Sequence, residues 1–327
     1  MALGEFDLIK RFFTRETRRA AVSVGVGDDC AVLAVAPGHQ LTVSTDMLVE
    51  GRHFLSTVAP ARLGHKALAV NLSDLAACGA RPLAYLLALS MPRVDEPFLA
   101  GLAEGLHALA DEHGIELVGG DTTAGPLNLC ITVMGEVPTG GALLRSGARV
   151  GDALWVSHAA SGGLGDARLA LEAFRGTVSV AGEHFERVRL AMERPQPRVA
   201  LGSALRGIAT AAIDLSDGLL GDLAHVLRRS GGLGAVLSFA DLPRSAALAA
   251  QPAAVQAECG LAGGDDYELL FTAPPDADRQ VLAAAAGAGT AVRRIGRLEA
   301  TPGVTVLDAA GRPVPTPWTG FDHFRVG

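Results

Sequence analysis

The stretch ATAAIDLSDGLLGDLAHVLRRSGG, Ala209–Gly232, sets the architecture of the chain. It opens as a small apolar run that reads as a buried strand ending at Asp214. Leu215 to Gly218 make a polar glycine turn, and LLGDLAHVLRR reads as a helix that stops on Gly231 and Gly232. A strand that hands over to a helix across such a turn is a building unit of α/β folds. The turn is also chemically loaded. Asp214, Ser216 and Asp217 sit where an apolar element stops, and the N-terminus of the following helix favours an anion such as phosphate.

Working outward, the same grammar recurs. QLTVSTD, Gln40–Asp46, alternates like a strand and ends at Asp46. GHKALAVNLSDLAACGA reads as a helix with Leu68, Leu72, Leu75 and Ala76 apolar and Gly79 as its stop. PLAYLLALSMP is a fully apolar run, read as a buried strand, and FLAGLAEGLHALADEHG spaces Phe98, Leu102, Leu106 and Leu109 as a helix does. IELVGGDTT and LNLCITVMGEV are further strands. PTGGA, Pro138–Ala142, marks a boundary. Beyond it DALWVS, DYELLFTAP, AVRRIG and GVTVLD read as strands, and RVRLAMERPQPRVALGSAL as a helix broken by proline. The order is irregular, so two α/β units of the α+β type, with helices packed on mixed sheets, fit better than a doubly wound sheet. The expected domains are residues 1–138 and 139–327.

The chain has 327 residues, 49% hydrophobic and 19% charged, enough for two packed cores. A net charge of −7 argues against nucleic-acid or anionic-membrane partners. No apolar run reaches the roughly 18–20 residues of a bilayer span, and MALGEFDLIKRFF lacks the apolar core of a leader. Cys30, Cys78, Cys130 and Cys259 form no C-x-x-C pair, so neither a zinc site nor a disulfide framework is indicated. These readings together suggest a soluble cytoplasmic protein. Lys10 and Lys66 are the only lysines, and no P-loop motif is present.

Acidic residues recur at element ends. Asp28 and Asp29 lie in GVGDDCA, Ser44, Thr45 and Asp46 in VSTD, Asp74 in NLSDLAA, and Asp121 in VGGDTT. One Asp after a glycine is ordinary turn chemistry. Five such segments, with no His or Cys at ligand spacing, suggest hard-cation chemistry, Mg²⁺ first. Asp74 stands out because it interrupts an apolar helix, with Asn71 on the same face. The glycines of VGGDTT and LSDGL let backbone N–H groups approach phosphate.

In this order the segments resemble the thiamine-monophosphate kinase family, within the ATP-binding superfamily of aminoimidazole ribonucleotide synthetase. The resemblance runs from GEFDLI through STDMLVEGRHF, LLRSGARVGD and GGDDYELLF to the terminal WTGFDHF. It implies two domains, the C-terminal one completing the nucleotide and substrate site, and a homodimer formed through the N-terminal sheets. It implies phosphorylation of thiamine monophosphate by ATP. Asp29, Ser44, Thr45, Asp46, Asp74, Asp121, Asp214 and Asp217 are then expected to hold several Mg²⁺ ions. Gly120, Asp121, Arg145 and Ser216 are expected at ATP, and His53, Asp265 and Trp318 at the thiamine substrate. Asp46, Asp74, Asp121 and Arg145 are the expected catalytic set. The family often has Glu where this chain has Asp265. Asp266 is read as structural, and the roles of Asp28 and Arg52 stay open.

The residues agree with that chemistry. A phosphate acceptor is largely ionised at neutral pH and needs no strong base, so the barrier is electrostatic. Two rivals stay open: another ATP-dependent enzyme of the superfamily, such as a purine-pathway synthetase, selenophosphate synthetase or hydrogenase maturation factor, and a Mg²⁺/nucleotide-binding regulator without turnover. Selenophosphate synthetase should carry a reactive Cys or selenocysteine in an N-terminal glycine-rich segment, and no Cys precedes Cys30 here.

Overall fold

The computed structural model describes residues 4–318, so residues 319–324 of the WTGFDHF segment lie outside the described residues. The chain divides into two compact units, Met1–Leu75 with Ala80–Gly140, and Ala76–Gly79 with Gly141–Gly327.

The first unit begins with α1 (Glu5–Leu8), which continues as a π-helical turn, Ile9–Phe13. A ribbon of β1 (Val22–Val24) and β2 (Val32–Leu33) follows. The main sheet is built from β3 (His39–Val49), β4 (Arg81–Met91), β5 (Glu116–Ala124) and β6 (Asn128–Pro138). Its order is β3-β6-β4-β5, with β4 and β5 parallel and the other neighbours antiparallel. The strand expected to end at Asp46 runs on to Val49, because β6 pairs with it over its whole length. One face of β3 stays open: Leu41, Val43, Met47 and Val49 alternate along it and are exposed.

Helices α2 (Pro60–Ala77) and α3 (Glu96–His113) complete this unit. Residues Leu63–Ser73 of α2 are buried on every side, which marks a core helix and explains its nearly continuous apolar sequence. The two helices touch backbone to backbone. A Cβ on Gly64 would lie 2.1 Å from the Leu102 carbonyl oxygen, and one on Gly105 would lie 1.9 Å from that of Ala61. Helix α3 starts where the Asp95 carboxylate accepts from Phe98 N and stops at Gly114, φ 57°.

In the second unit β7 (Ala153–His158), β8 (Ala211–Asp214), β9 (Gly234–Ser238), β10 (Leu269–Ala273), β11 (Ala291–Glu299) and β12 (Gly303–Leu307) form one sheet, ordered β12-β9-β11-β7-β10-β8. Only the β9–β12 pair is parallel. The helices are α4 (Asp166–Phe174), α5 (Gly182–Glu193), α6 (Val199–Ala204), α7 (Leu219–Arg229), α8 (Ala246–Ala249), α9 (Ala253–Ala262) and α10 (Asp278–Gly287). The proline break separates α5 from α6. The core packs Leu154, Ile213, Leu223, Leu237, Leu261 and Leu270, with Trp318 half-buried against it. Both large sheets are mixed and carry helices, so the fold is α/β of the α+β type. Among the described residues no helix is long and apolar enough to cross a membrane.

Candidate functional site

The first unit gathers candidates between β3 and α2. Ser44 and Asp46 are two residues apart and share the β3 face opposite the exposed one. The Ser44 hydroxyl donates to Asp74 Oδ2 on α2 at 2.5 Å. Asn71, one turn earlier, holds the strand: its Oδ1 accepts from Asp46 N at 3.1 Å, and its Nδ2 donates to the Ala67 carbonyl at 2.9 Å. Thus Asp74 interrupts the apolar helix to meet a hydroxyl across the groove. Thr45 faces the other way. Its hydroxyl donates to the Ile131 carbonyl at 3.0 Å and lies 3.0 Å from the Thr132 hydroxyl.

The remaining candidates of this unit sit at its edges. Asp28 and Asp29 are exposed in the turn after β1, where Asp28 Oδ1 accepts from Asp29 N at 2.9 Å. Gly120 and Asp121 are exposed on the edge strand β5. Gly120 has φ 147°, and a Cβ there would lie 1.8 Å from the Leu87 carbonyl oxygen, so only glycine fits. His53 Nδ1 accepts from Val49 N at 3.0 Å. The ring proton of neutral His53 is therefore on Nε2.

In the second unit Asp214 ends β8 and is buried. The Ser216–Asp217 turn is clamped from two sides. Asp265 N donates to the Ser216 carbonyl and Tyr267 N to the Leu215 carbonyl, both at 2.8 Å. From α7, Asp222 Oδ2 accepts from Asp217 N at 3.1 Å. Burial first, and the Asp217 charge second, push the Asp222 carboxyl up to about 7, while Arg145 acts in the opposite direction. Asp222 therefore ties α7 to the turn through the Asp217 N–H. The sequence reading passed over it, although its spacing inside LSDGLLGDL places it one turn into the helix behind Asp217.

A second feature of this unit was not foreseen. A cavity of about 280 Å³ lies among the Ala159–Gly163 loop, α5 and the segment Asp266–Glu268. Asp166 and Asp266 line it. Burial pushes Asp166 up to about 6, even though Ser245 Oγ donates to it at 2.5 Å and Gly163 N at 3.1 Å. Asp266 is densely surrounded, with part of its surface open to the cavity. Burial raises its carboxyl well above the usual range, and Asp166, Glu268 and Asp265 add like charge. Glu268 is spoken for by the Arg198 guanidinium, whose Nε donates at 2.7 Å, and by the Ser157 hydroxyl.

The donors of both units fit Mg²⁺ in their chemistry. The groups are carboxylate and hydroxyl oxygens, the set a hard cation takes. Among the described residues no three His, Cys, Asp or Glu side chains converge to hold a metal by themselves. That is compatible with Mg²⁺, which is held by one or two carboxylates and completes its shell with water and phosphate oxygens.

The AIR synthase related protein family matches with both of its domains, the N-terminal one over residues 27–137 and the C-terminal one over residues 149–309. The chain belongs to that class. Within it the chain aligns end to end with thiamine-monophosphate kinases: 44% identity to that of Salmonella typhimurium over 99% of both chains, and 33% to that of Bacillus subtilis over 99% of this chain and 100% of the other. It belongs to the thiamine-monophosphate kinase family. The crystal structure of thiamine-monophosphate kinase from Stenotrophomonas maltophilia superposes with a TM-score of 0.85 at 44% identity, over 94% of this chain and 97% of that one. The structure described as AaThiL complexed with AMPPCP and TMP gives a TM-score of 0.76 at 29% identity, over 89% of each chain. The hydrogenase maturation protein HypE shares the fold, with a TM-score of 0.73 at 20% identity over 96% of this chain and 95% of that one.

Proposed function

We propose that this protein phosphorylates thiamine monophosphate to thiamine diphosphate, by in-line transfer of the γ-phosphoryl group of ATP to the substrate phosphate. The observation that carries this reading is the full-length match to thiamine-monophosphate kinases, 44% identical over 99% of the chain. The related complex with AMPPCP and TMP supports ATP as co-substrate.

Bound Mg²⁺ neutralises the charge of two approaching polyanions. The chain's own residues position it and the phosphates. Asp29, Ser44, Thr45, Asp46, Asp74, Asp121, Asp214 and Asp217 are assigned to metal. Ser44 is already set on Asp74 at 2.5 Å, which supports their acting as one group. For Thr45 the backbone carbonyl is the better donor, because its hydroxyl is engaged on the other face. Gly120, Asp121, Arg145 and Ser216 are assigned to ATP. Asp46, Asp74, Asp121 and Arg145 carry the transfer. His53 donates from Nε2 to the substrate phosphate, Asp265 meets the thiamine end, and Trp318 stacks on its cationic ring. No general base is required, since the acceptor is already an ionised phosphate oxygen.

Residues 1–138 and 139–327 are assigned as the two domains. The protein is assigned as a cytoplasmic homodimer. The open apolar face of Leu41, Val43, Met47 and Val49 supports association through the N-terminal sheet.

Incubation with ATP, Mg²⁺ and thiamine monophosphate tests the reading. ADP and thiamine diphosphate should form in equal amounts, and a failure to form thiamine diphosphate would sink it.

A further inference from the structure

The turn between β8 and α7 carries Ser216 and Asp217, assigned above to the nucleotide and its metal. Helix α7 is eleven residues long, and the N-terminus of such a helix is where a phosphate ordinarily settles. Its N-cap is Gly218, φ 102°, which brings no side chain to the helix amides. An internal anion lies there instead. Asp222, in the first turn of α7 and 2% exposed, folds back so that its Oδ2 accepts from Asp217 N at 3.1 Å. The Ser216 N–H also stabilises the Asp222 charge. The arrangement is a relative of the capping box, in which an acid inside a helix serves an amide ahead of it.

The backbone of the turn can be followed group by group. Leu215 N donates to the Glu268 carbonyl, and the Leu215 and Ser216 carbonyls accept from Tyr267 N and Asp265 N, each at 2.8 Å. Asp222 takes the Asp217 amide. These backbone groups are turned into the protein, while Ser216 is exposed and Asp217 half-buried. The turn therefore presents side chains to a ligand. Serving two amides calls for two acceptor oxygens, which a carboxylate has and an amide side chain does not. The Asp217 charge opposes that of Asp222 and Arg145 offsets it, so a cation on Asp217 relieves the repulsion further.

We propose that Asp222 is a positioning residue for the nucleotide: its carboxylate fills the N-terminus of α7 in place of a ligand phosphate and fixes the turn, so that the Ser216 hydroxyl and the Asp217 carboxylate meet the metal–ATP complex. This rests on the reaction and the residue assignments proposed above. The phosphates of ATP are then met by side chains and metal, and not by the Ser216 and Asp217 amides.

The test uses the full-length protein and compares the two near-isosteric variants Asp222→Leu and Asp222→Asn. Asp222→Leu is expected to raise both the half-saturating Mg²⁺ concentration and the Kd for AMPPCP in the presence of Mg²⁺ about tenfold, with the KM for thiamine monophosphate within about twofold. Asp222→Asn keeps an acceptor for the Asp217 N–H and loses the second, so its shift should be about threefold. Parental Mg²⁺ and AMPPCP values in Asp222→Leu overturn the assignment. So does a KM for thiamine monophosphate that rises in step with them, which would mark general loosening, and so does Asn behaving like Leu. Amide hydrogen exchange of the parent decides the matter even where Asp222→Leu fails to fold. The Ser216 and Asp217 amides should be protected before any ligand is added and change little with Mg²⁺ and AMPPCP. Amides that are open in the free protein and become protected by AMPPCP would mean that phosphate takes them, and would overturn the proposal. If the parent neither binds AMPPCP with Mg²⁺ nor forms thiamine diphosphate, the proposed reaction falls; if it does both and Asp222→Leu matches it, only the role of Asp222 falls.

Discussion

The tripeptide Gly-Asp-Asp occurs twice, at Gly27–Asp29 and at Gly264–Asp266, and the two copies live in opposite environments. Both glycines are left-handed, with φ 123° and 68°. The first pair of carboxylates is exposed, and Asp28 simply caps the turn. The second pair is half-buried in the segment that leads into β10. Asp265 is itself left-handed at φ 63°, Tyr267 at φ 52°, and Asp266 is densely surrounded. Two non-glycine residues in that region cost about 1–2 kcal/mol each, so the surrounding structure must impose the kink. The clamp on Leu215 and Ser216 supplies that constraint. Burial, rather than the motif, therefore decides what an Asp pair can do: open carboxylates serve a hydrated cation, enclosed ones a hydrogen-bonding partner.

That contrast is open to attack at several points. The largest effect is expected at the groove between β3 and α2, where Asp46 and Asp74 are proposed to hold metal. Asp74→Asn should lower kcat on the order of 10²–10³-fold with the thermal midpoint little changed, and near-parental turnover at saturating Mg²⁺ would remove the metal assignment. Asp29→Asn should raise the Mg²⁺ concentration at half-maximal rate about tenfold and leave the KM for thiamine monophosphate alone. An unchanged Mg²⁺ dependence would show that the exposed copy does not serve the cation.

Next comes stability against pH. The Asp166 carboxyl titrates at about 6 in the fold against 3.8 unfolded. As pH rises through that interval the unfolded chain releases its proton first, so the parent should lose stability relative to Asp166→Asn. The loss should reach up to about 3 kcal/mol and level off above pH 6. Urea unfolding of both proteins at pH 4 and pH 7 measures it, and parallel behaviour contradicts it. The smallest effects separate the two glycines. Gly264→Ala brings a Cβ within 2.7 Å of the Ser216 carbonyl oxygen, whereas Gly27 has nothing within 4 Å. Gly264→Ala should cost about 2 kcal/mol and Gly27→Ala about 1, since only the first adds a clash to the φ strain. Equal losses in urea melts would show that the second copy is no more constrained than the first.

Much of the fold was legible because its signals are local. The apolar run of β4, the heptad-like spacing in α3 and the proline break before α6 each sit within a dozen residues. The acids at element ends were legible for the same reason, as was Asn71 beside Asp74. What escaped is non-local. Asp166 and Asp266 stand a hundred positions apart in sequence, and only the packing of α4 against the sheet loop brings them to one cavity. For Asp266, read as structural, the motif carries no information on the Gly165 N–H that its carboxylate accepts from. Asp222 looked like an ordinary polar position of an amphipathic helix, and its role depends on a turn folding back over it. Thr45 lay in a run of donors, but strand alternation turns its hydroxyl to the opposite face.

The glycine contacts between α2 and α3 bear on how the sequence can drift. Gly64 and Gly105 press against carbonyl oxygens, of Leu102 and Ala61, instead of against side chains. A neighbouring mutation can shrink a side chain, but none can shrink a peptide group. Neither glycine thus has a compensating partner: each is a dead end for substitution taken singly, and in a family alignment the pair should stand as two fixed columns with no covariation between them.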